Sequence, residues 1–154
     1  TLTTKAHLKS RNFWRNLPES TKYAPIENTL DHKLENISGT KSTDIAQTMI
    51  NSALDEKIDA ISGSLNIISE NFEISNSHGL ELSDKATYIS GIINAESEKG
   101  NIPVSGLGQE CCRTLDNFQA EKVGHDAKVM CKESINPKKC KNDIYSIYII
   151  ISVF

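Results

Sequence analysis

Hydrophobic positions along this chain change their spacing several times, and each change predicts an element. Ile45, Met49, Ala53 and Leu54 fall on one helical face, Ala46 and Ile50 widen the stripe, and Ser42-Thr43-Asp44 precedes it as a cap. The spacing predicts an amphipathic helix over residues 43–56, since apolar residues three and four apart meet on one side of the helix. After Lys57 the pattern shortens. Runs at 60–68, 71–75, 80–82 and 86–94 are rich in Ile, Leu, Tyr and Thr and are broken by polar or glycine turns, which predicts antiparallel strands. Between the second and third run, Asn76-Ser77-His78-Gly79 can reverse the chain as a tight hairpin, because Asn tolerates left-handed backbone angles and Gly adopts them freely. A second helix is expected over 117–133, capped by Asp116, with Phe118, Val123, Ala127, Met130 and Cys131 as its apolar face and Asn136-Pro137 closing it. From Ile144 to Phe154 nearly every residue is apolar or aromatic, which predicts a last strand, its 147–154 portion buried against the domain's own sheet or a second copy.

Residues 1–40 lack sustained periodicity and read as an extended arm. Pro18 and Pro25 bias the residues before them away from helix, and Phe13, Trp14, Leu17, Tyr23 and Ile26 would pin the arm to a body. Glu96-Ser97-Glu98-Lys99-Gly100 is a charged loop. Pro103 to Gly108 reads as a flexible loop or bulge, because its glycines lack the GK[ST] continuation and the strand and acidic partner that a phosphate-binding loop needs. The expected fold is therefore α+β: an antiparallel sheet of about four to six strands with two amphipathic helices packed on it, one domain over 41–154, preceded by the arm.

Composition narrows the chemistry. A chain of 154 residues fits one domain, large enough to bury roughly two thirds of its unfolded surface. Seventeen Lys plus Arg against twenty Asp plus Glu leave a net charge of -3, and without a clustered basic surface direct nucleic-acid binding is not expected. Lys138-Lys139-Cys140-Lys141 reads as a solvated turn. The positively charged beginning lacks the apolar core of a signal peptide, and the 144–154 run is only about half of the roughly 20 residues a membrane-spanning helix requires. No membrane association is expected. Four cysteines without a CxxC pattern read as reduced thiols, and His7, His32, His78 and His125 lie too far apart in sequence for a helix-borne zinc pair.

The residues alone show no complete catalytic motif. Cys111 or Cys112 with His125 has the right types for a nucleophile and base, but nothing in the sequence fixes their geometry. Glu110 and Glu121 would act as general acids only in a cleft that raises their proton affinity.

The order Ile45-Ala46, Met49-Ile50, Ala53-Leu54, then Ile74 to Gly79, Thr87-Tyr88, Ser105-Gly106-Leu107-Gly108, Arg113-Thr114-Leu115-Asp116 and Val123-Gly124-His125-Asp126-Ala127 resembles the middle of the N-terminal region of a TldD/PmbA protein. The resemblance covers roughly residues 17–145, and the asparagine-serine-x-glycine turn and the Val-Gly pair carry most of it. It implies a cytoplasmic protein linked to proteolysis and peptide maturation, from a family also called putative modulators of DNA gyrase. Family members are far longer, with a preceding N-terminal segment and a large β-rich C-terminal domain. Their TldD-like branch binds zinc through HExxxH; the PmbA-like branch lacks that motif and serves as the partner subunit of a dimer. No HExxxH occurs here, so no metal ligand carries over, and the turn at Asn76 favours the PmbA-like branch. After Tyr145 the sequence departs from the family pattern, as a truncated or split product or an excised piece would.

The resemblance implies a non-catalytic fragment, without a cofactor of its own, that frames a peptide channel or dimer contact. Its partners would be peptide or unfolded protein and other subunits. Asn76, Ser77, His78 and Tyr88 are the candidate peptide-facing residues, Tyr88 because extended peptides commonly add to strand edges. The alternative is a stand-alone interaction module that dimerises through its C-terminal strand; a cysteine-dependent enzyme is a third reading.

Overall fold

The computed structural model describes residues 17–18, 26–139 and 144. By backbone contacts the chain divides into two units, one holding residues 26–70, 85–139 and 144, the other residues 17–18 and 71–84.

The larger unit begins with helix α1 (His32–Glu35), capped by Asp31, whose carboxylate accepts the Lys33 backbone N–H at 2.8 Å. Helix α2 (Gly39–Ala53) follows, capped by Ser38, whose hydroxyl accepts the Lys41 N–H at 3.2 Å. The described part of the expected arm is thus partly helical, and α2 starts four residues ahead of position 43. Ser38 supplies one turn earlier the chemistry that Ser42 and Thr43 offered. Those two hydroxyls instead donate back to the carbonyls of Ser38 and Gly39, as Ser and Thr do inside helices. The helix stops at Ala53, and Leu54 is extended and 58% exposed, outside the core face expected for it.

Three strands form one sheet in the order β1 (Ala60–Ser75), β2 (Glu81–Ser97), β3 (Val104–Cys112). β1 and β2 are joined by a short turn, which only an antiparallel pair allows, and β2 and β3 run antiparallel with Ile93 opposite Gly108 and Ala95 opposite Gly106. The four short runs expected between 60 and 94 are two long strands, because neither Ser69-Glu70 nor Ser83-Asp84-Lys85 brings a proline or a positive φ that would break the backbone. The stretch 103–108, expected as a loop or bulge, belongs largely to β3. Among the described residues the strands number three, and the apolar run expected as a further strand lies outside them except for Ile144.

After β3 a 3-10 turn (Leu115–Asn117) leads to helix α3 (Ala120–Ser134). Asp116, expected as the cap, lies inside the turn and pairs with Lys33 at 2.6 Å. Gln119 holds the cap position without a side-chain bond, and its backbone N–H donates to Glu110 Oε2 at 2.6 Å.

Packing explains the glycines. Along β2, Thr87, Ile89, Gly91, Ile93, Ala95 and Ser97 are buried and alternate with less buried neighbours, so one sheet face meets the helices. Ile89, Ile93 and Ala95 form a core with Leu34, Ile45, Met49, Ala53, Val123, Ala127 and Cys131. A Cβ at Gly106 or Gly108 would collide with the α3 backbone at Ala127 and Cys131 or at Val123, and one at Gly124 would collide with the α2 backbone at Met49. These three positions bring α3 down onto β3 and against α2 at backbone distance. Met130, expected in the apolar face, is instead half exposed beside β3.

Residues 29–31 run beside β2 just beyond its paired stretch with β3, which begins at Ile89 and Cys112. Thr87 N donates to Thr29 O at 2.8 Å, and the fully buried Thr87 hydroxyl accepts from Asp31 N at 2.8 Å and donates to Arg113 O at 3.2 Å. The Asp31 carboxylate also accepts the Leu115 N–H at 2.8 Å, tying this segment to the turn after β3.

In the smaller unit the hairpin closes through Asn76 N to Leu80 O at 3.0 Å and Gly79 N to Asn76 O at 3.3 Å. The left-handed residue is Gly79, at φ 78°; Asn76 works through its side chain. Its Oδ1 accepts from His78 N at 2.8 Å and Leu80 N at 3.2 Å, an Asx-type turn, and its Nδ2 donates to Pro18 O at 2.8 Å.

Candidate functional site

The hairpin turn brings Asn76, Ser77 and His78 together, with Ser77 and His78 exposed. All the hydrogen bonds of Asn76 described above go to backbone groups, so its amide builds the turn. His78 contributes an exposed imidazole beyond that frame. Tyr88 belongs to the other unit, half buried, with the Arg113 guanidinium 5.9 Å from its ring centroid, a cation–π distance. β2 lies between β1 and β3, so a ligand would meet Tyr88 through its side chain, while among the described residues the outer backbone edges of the sheet belong to β1 and β3.

The cysteines are arranged as structural thiols. Cys112 donates weakly to Asn117 O at 3.5 Å, and burial, then the neighbouring Glu110 and Cys111, raise its pKa. Burial likewise raises that of Cys131 in the core. Such shifts deplete the thiolate that a nucleophile needs. Cys111, one residue along the strand, is exposed, and Cys111, Cys112 and Cys131 are all free. Among the described residues no hydrogen bond joins these cysteines to His125, which stands on α3.

Glu110 is engaged by the Gln119 N–H and, at 3.7 Å, by Lys122, while Glu121 is exposed. Among the described residues no three His, Cys, Asp or Glu side chains gather to hold a metal ion, so the donor set of a zinc site is not assembled there. Lys138 and Lys139 are exposed; Cys140 and Lys141 lie outside the described residues. No helix among the described residues is long and apolar enough to cross a membrane.

Two surface grooves adjoin α3. One, of about 790 Å³, runs between α2 and α3 past Ile45 and Phe118, with Lys41, Lys122, His125 and Lys128 on its rim. The other, of about 690 Å³, lies between β3 and the flank of α3 and is bordered by Leu107, Asp126, Val129, Met130 and Glu133. There the Leu107 backbone N–H points away from β2 and donates to the Met130 thioether at 3.4 Å. Reading 103–108 as a loop hid this second groove. The available signal was the two-residue spacing of Gly106 and Gly108, which places both on one strand face.

The sequence matches no protein-family model, and no curated protein matches it. The fold does match solved structures. A putative modulator of DNA gyrase from Thermotoga maritima aligns with TM-score 0.76 and 20% identity over 89% of this chain and 32% of its own. A second, from Bacteroides thetaiotaomicron, aligns with TM-score 0.70 and 18% identity over 91% of this chain and 35% of its own. TldE from Thermococcus kodakarensis aligns with TM-score 0.66 and 20% identity over 84% of this chain and 30% of its own. The chain therefore spans about a third of the length of these proteins. At such identities the likeness is one of fold: these residues adopt the architecture of a part of proteins described as putative modulators of DNA gyrase and as TldE.

Proposed function

We propose that this chain is the middle part of the N-terminal region of a TldD/PmbA-type protein, non-catalytic by itself, which frames a peptide channel or dimer contact in proteolysis or peptide maturation. The observation that carries the reading is the fold likeness to a putative modulator of DNA gyrase over 89% of the chain. The motif order from Ile45 to Ala127 supports it independently of the coordinates. The turn at Asn76 favours the PmbA-like branch, in which the protein is a partner subunit. In this reading the protein is cytoplasmic, forms homo- or hetero-oligomers, and takes peptide or unfolded protein as its ligand. Zinc belongs to catalytic relatives, since this sequence has no HExxxH. Asn76, Ser77, His78 and Tyr88 remain the proposed peptide-facing residues, the first three at the hairpin and Tyr88 through its ring.

The test is a cleavage assay on fluorescently labelled unfolded casein with added zinc, with and without chelator, followed by mixing with an HExxxH-bearing family member. The expected result is no cleavage by the chain alone and a stable complex on mixing. Chelator-sensitive cleavage by the purified chain would refute the non-catalytic role, and failure to associate would refute the subunit role.

A further inference from the structure

β1 borders the sheet among the described residues, and its first ten residues, Ala60 to Ser69, carry no charge and no proline, the devices that keep a strand edge from pairing. Beside this edge a groove of about 120 Å³ between β1 and α2 is lined by Ala46, Met49, Ile50, Ile61, Leu65 and Ile93, together with Ser62 to Ser64. Ile50 is exposed and Ile61 and Leu65 are half buried, so apolar surface lies open there. Ser62, Ser64 and Asn66, which alternate with Ile61 and Leu65, are exposed.

The end of the same chain carries the matching pattern. Tyr145, Ile147, Ile149, Ile151 and Val153 form an alternating set that is wholly apolar, whereas the other set includes Ser146 and Ser152. These residues lie outside the described ones, but the chain leading to them is fixed. α3 ends at Ser134, and Asn136 Oδ1 accepts the Asn101 N–H at 3.1 Å between β2 and β3. β1 starts at the same end of the sheet, where Asp59 N donates to Glu96 O at 2.8 Å and the Asp59 carboxylate pairs with Lys99 at 2.7 Å. Residues 137–144 can span up to about 26 Å, so length allows either edge of a sheet whose strands stand about 4.8 Å apart.

The hand of the connection chooses between the edges. Viewed with the helices in front and β3 pointing up, Gly106 and Gly108 face the viewer and the Leu107 side chain points away. In an upward strand of L-residues, a residue turned away from the viewer sends its N–H to the left. The Leu107 N–H points away from β2, to the Met130 sulfur at 3.4 Å, so β2 and then β1 lie to the right of β3. A strand that follows α3 upward completes a crossover from β3. Such connections are right-handed in about 98% of cases, and with the helix in front a right-handed one moves to the right. That leads beyond β1, which also points up; the outer edge of β3 would demand the rare left hand.

We infer that residues 145–153 pair as a fourth strand with the outer edge of β1 and run parallel to it. Ile147, Ile149 and Ile151 fill the groove beside Ile50 and Leu65, and Ser146 and Ser152 lie on the face of Ser62 and Ser64. Whether or not peptide is the ligand, the occupant of this edge is then the molecule's own segment, and β1 offers no free backbone to a peptide or a second copy.

The experiment is NMR on the full chain with labelled isoleucine and leucine methyls. Nuclear Overhauser contacts should join Ile50 and Leu65 to Ile147, Ile149 or Ile151 with the same strength across a dilution series. Ile149→Asp with Ile151→Asp puts charge into the groove and should speed exchange of the outward-facing β1 amides at least about tenfold, because an edge amide is protected only while it is paired. Ser146→Asp with Ser152→Asp, on the other face, should leave those amides unchanged. Contacts from the three isoleucines to Leu107 would move the strand to β3. Contacts found only between differently labelled molecules in a mixed sample would assign the edge to a second copy, and no contact from 145–153 to the sheet would leave β1 open. Each of these results, or equal effects of the two variants, would overturn the inference.

Discussion

Replacing Gly124 by Ala should have opposite effects on the isolated helix and on the folded protein. In a free helix, alanine is favoured over glycine by about 1 kcal/mol. In the protein, a Cβ at this position would meet the Met49 carbonyl oxygen, the Ala53 nitrogen at 2.9 Å and the Ser52 Cβ at 2.9 Å. Two of these are backbone atoms of α2 and cannot rotate away, so the helices must part and loosen the packing of Met49, Ala53, Val123 and Ala127. Overpacking typically costs about 1–3 kcal/mol, and collision with backbone puts this site at the upper end. Subtracting the propensity gain of about 1 leaves a net loss of about 2 kcal/mol. For a chain of this size that lowers Tm by about 4–8 °C. Urea and thermal unfolding of the full chain, beside circular dichroism of a peptide spanning Ala120–Ser134, provide the comparison. The peptide should gain helicity and the protein should lose stability. A variant protein as stable as the parent would refute the claim that α2 and α3 touch through their backbones.

Thr87→Val keeps the shape of a buried residue but leaves Asp31 N without its 2.8 Å acceptor. A loss of about 1–3 kcal/mol is expected, with Thr87→Ser recovering most of it in the same urea titration. Asp31 is held below its ordinary range, first because its carboxylate accepts the Leu115 N–H, which outweighs the opposing effect of burial, and then because the Lys33 N–H and charge add to the lowering. A depressed folded pKa means that the contribution is present above the unfolded value of about 3.9 and is lost as pH falls through the folded value. Asp31→Asn should therefore be less stable than the parent at pH 7 and lose less on acidification below pH 4. Parallel slopes in that range would refute the assignment.

Much of the larger unit was legible because its signals are local. Ile45, Met49 and Ala53 repeat at helical spacing and are buried as that spacing requires. The Asn76–Gly79 turn follows from the chemistry of two residues, with Gly79 rather than Asn76 taking the left-handed angle. Boundaries were less legible, since Ser38 and Ser42 offer the same cap and only packing chooses between them. Of the candidate residues, Asn76, Ser77 and His78 adjoin in the turn as neighbours in sequence must, whereas the placing of Tyr88 on a strand flanked on both sides is something no single strand's sequence reveals.

What the sequence determined by itself is the class of element at each strongly periodic or turn-forming stretch, because hydrophobic spacing and backbone preference act within a few residues. What only tertiary structure decided is the meaning of the glycines and the partners of the charges. Gly106 and Gly108 look like loop residues until a helix lies across them, and then the missing side chains become the space in which that helix sits. Asp116 looks like a helix cap until Lys33, 83 positions away, comes within 2.6 Å. Spatial neighbours fix both, and distant sequence positions become neighbours only when the chain folds.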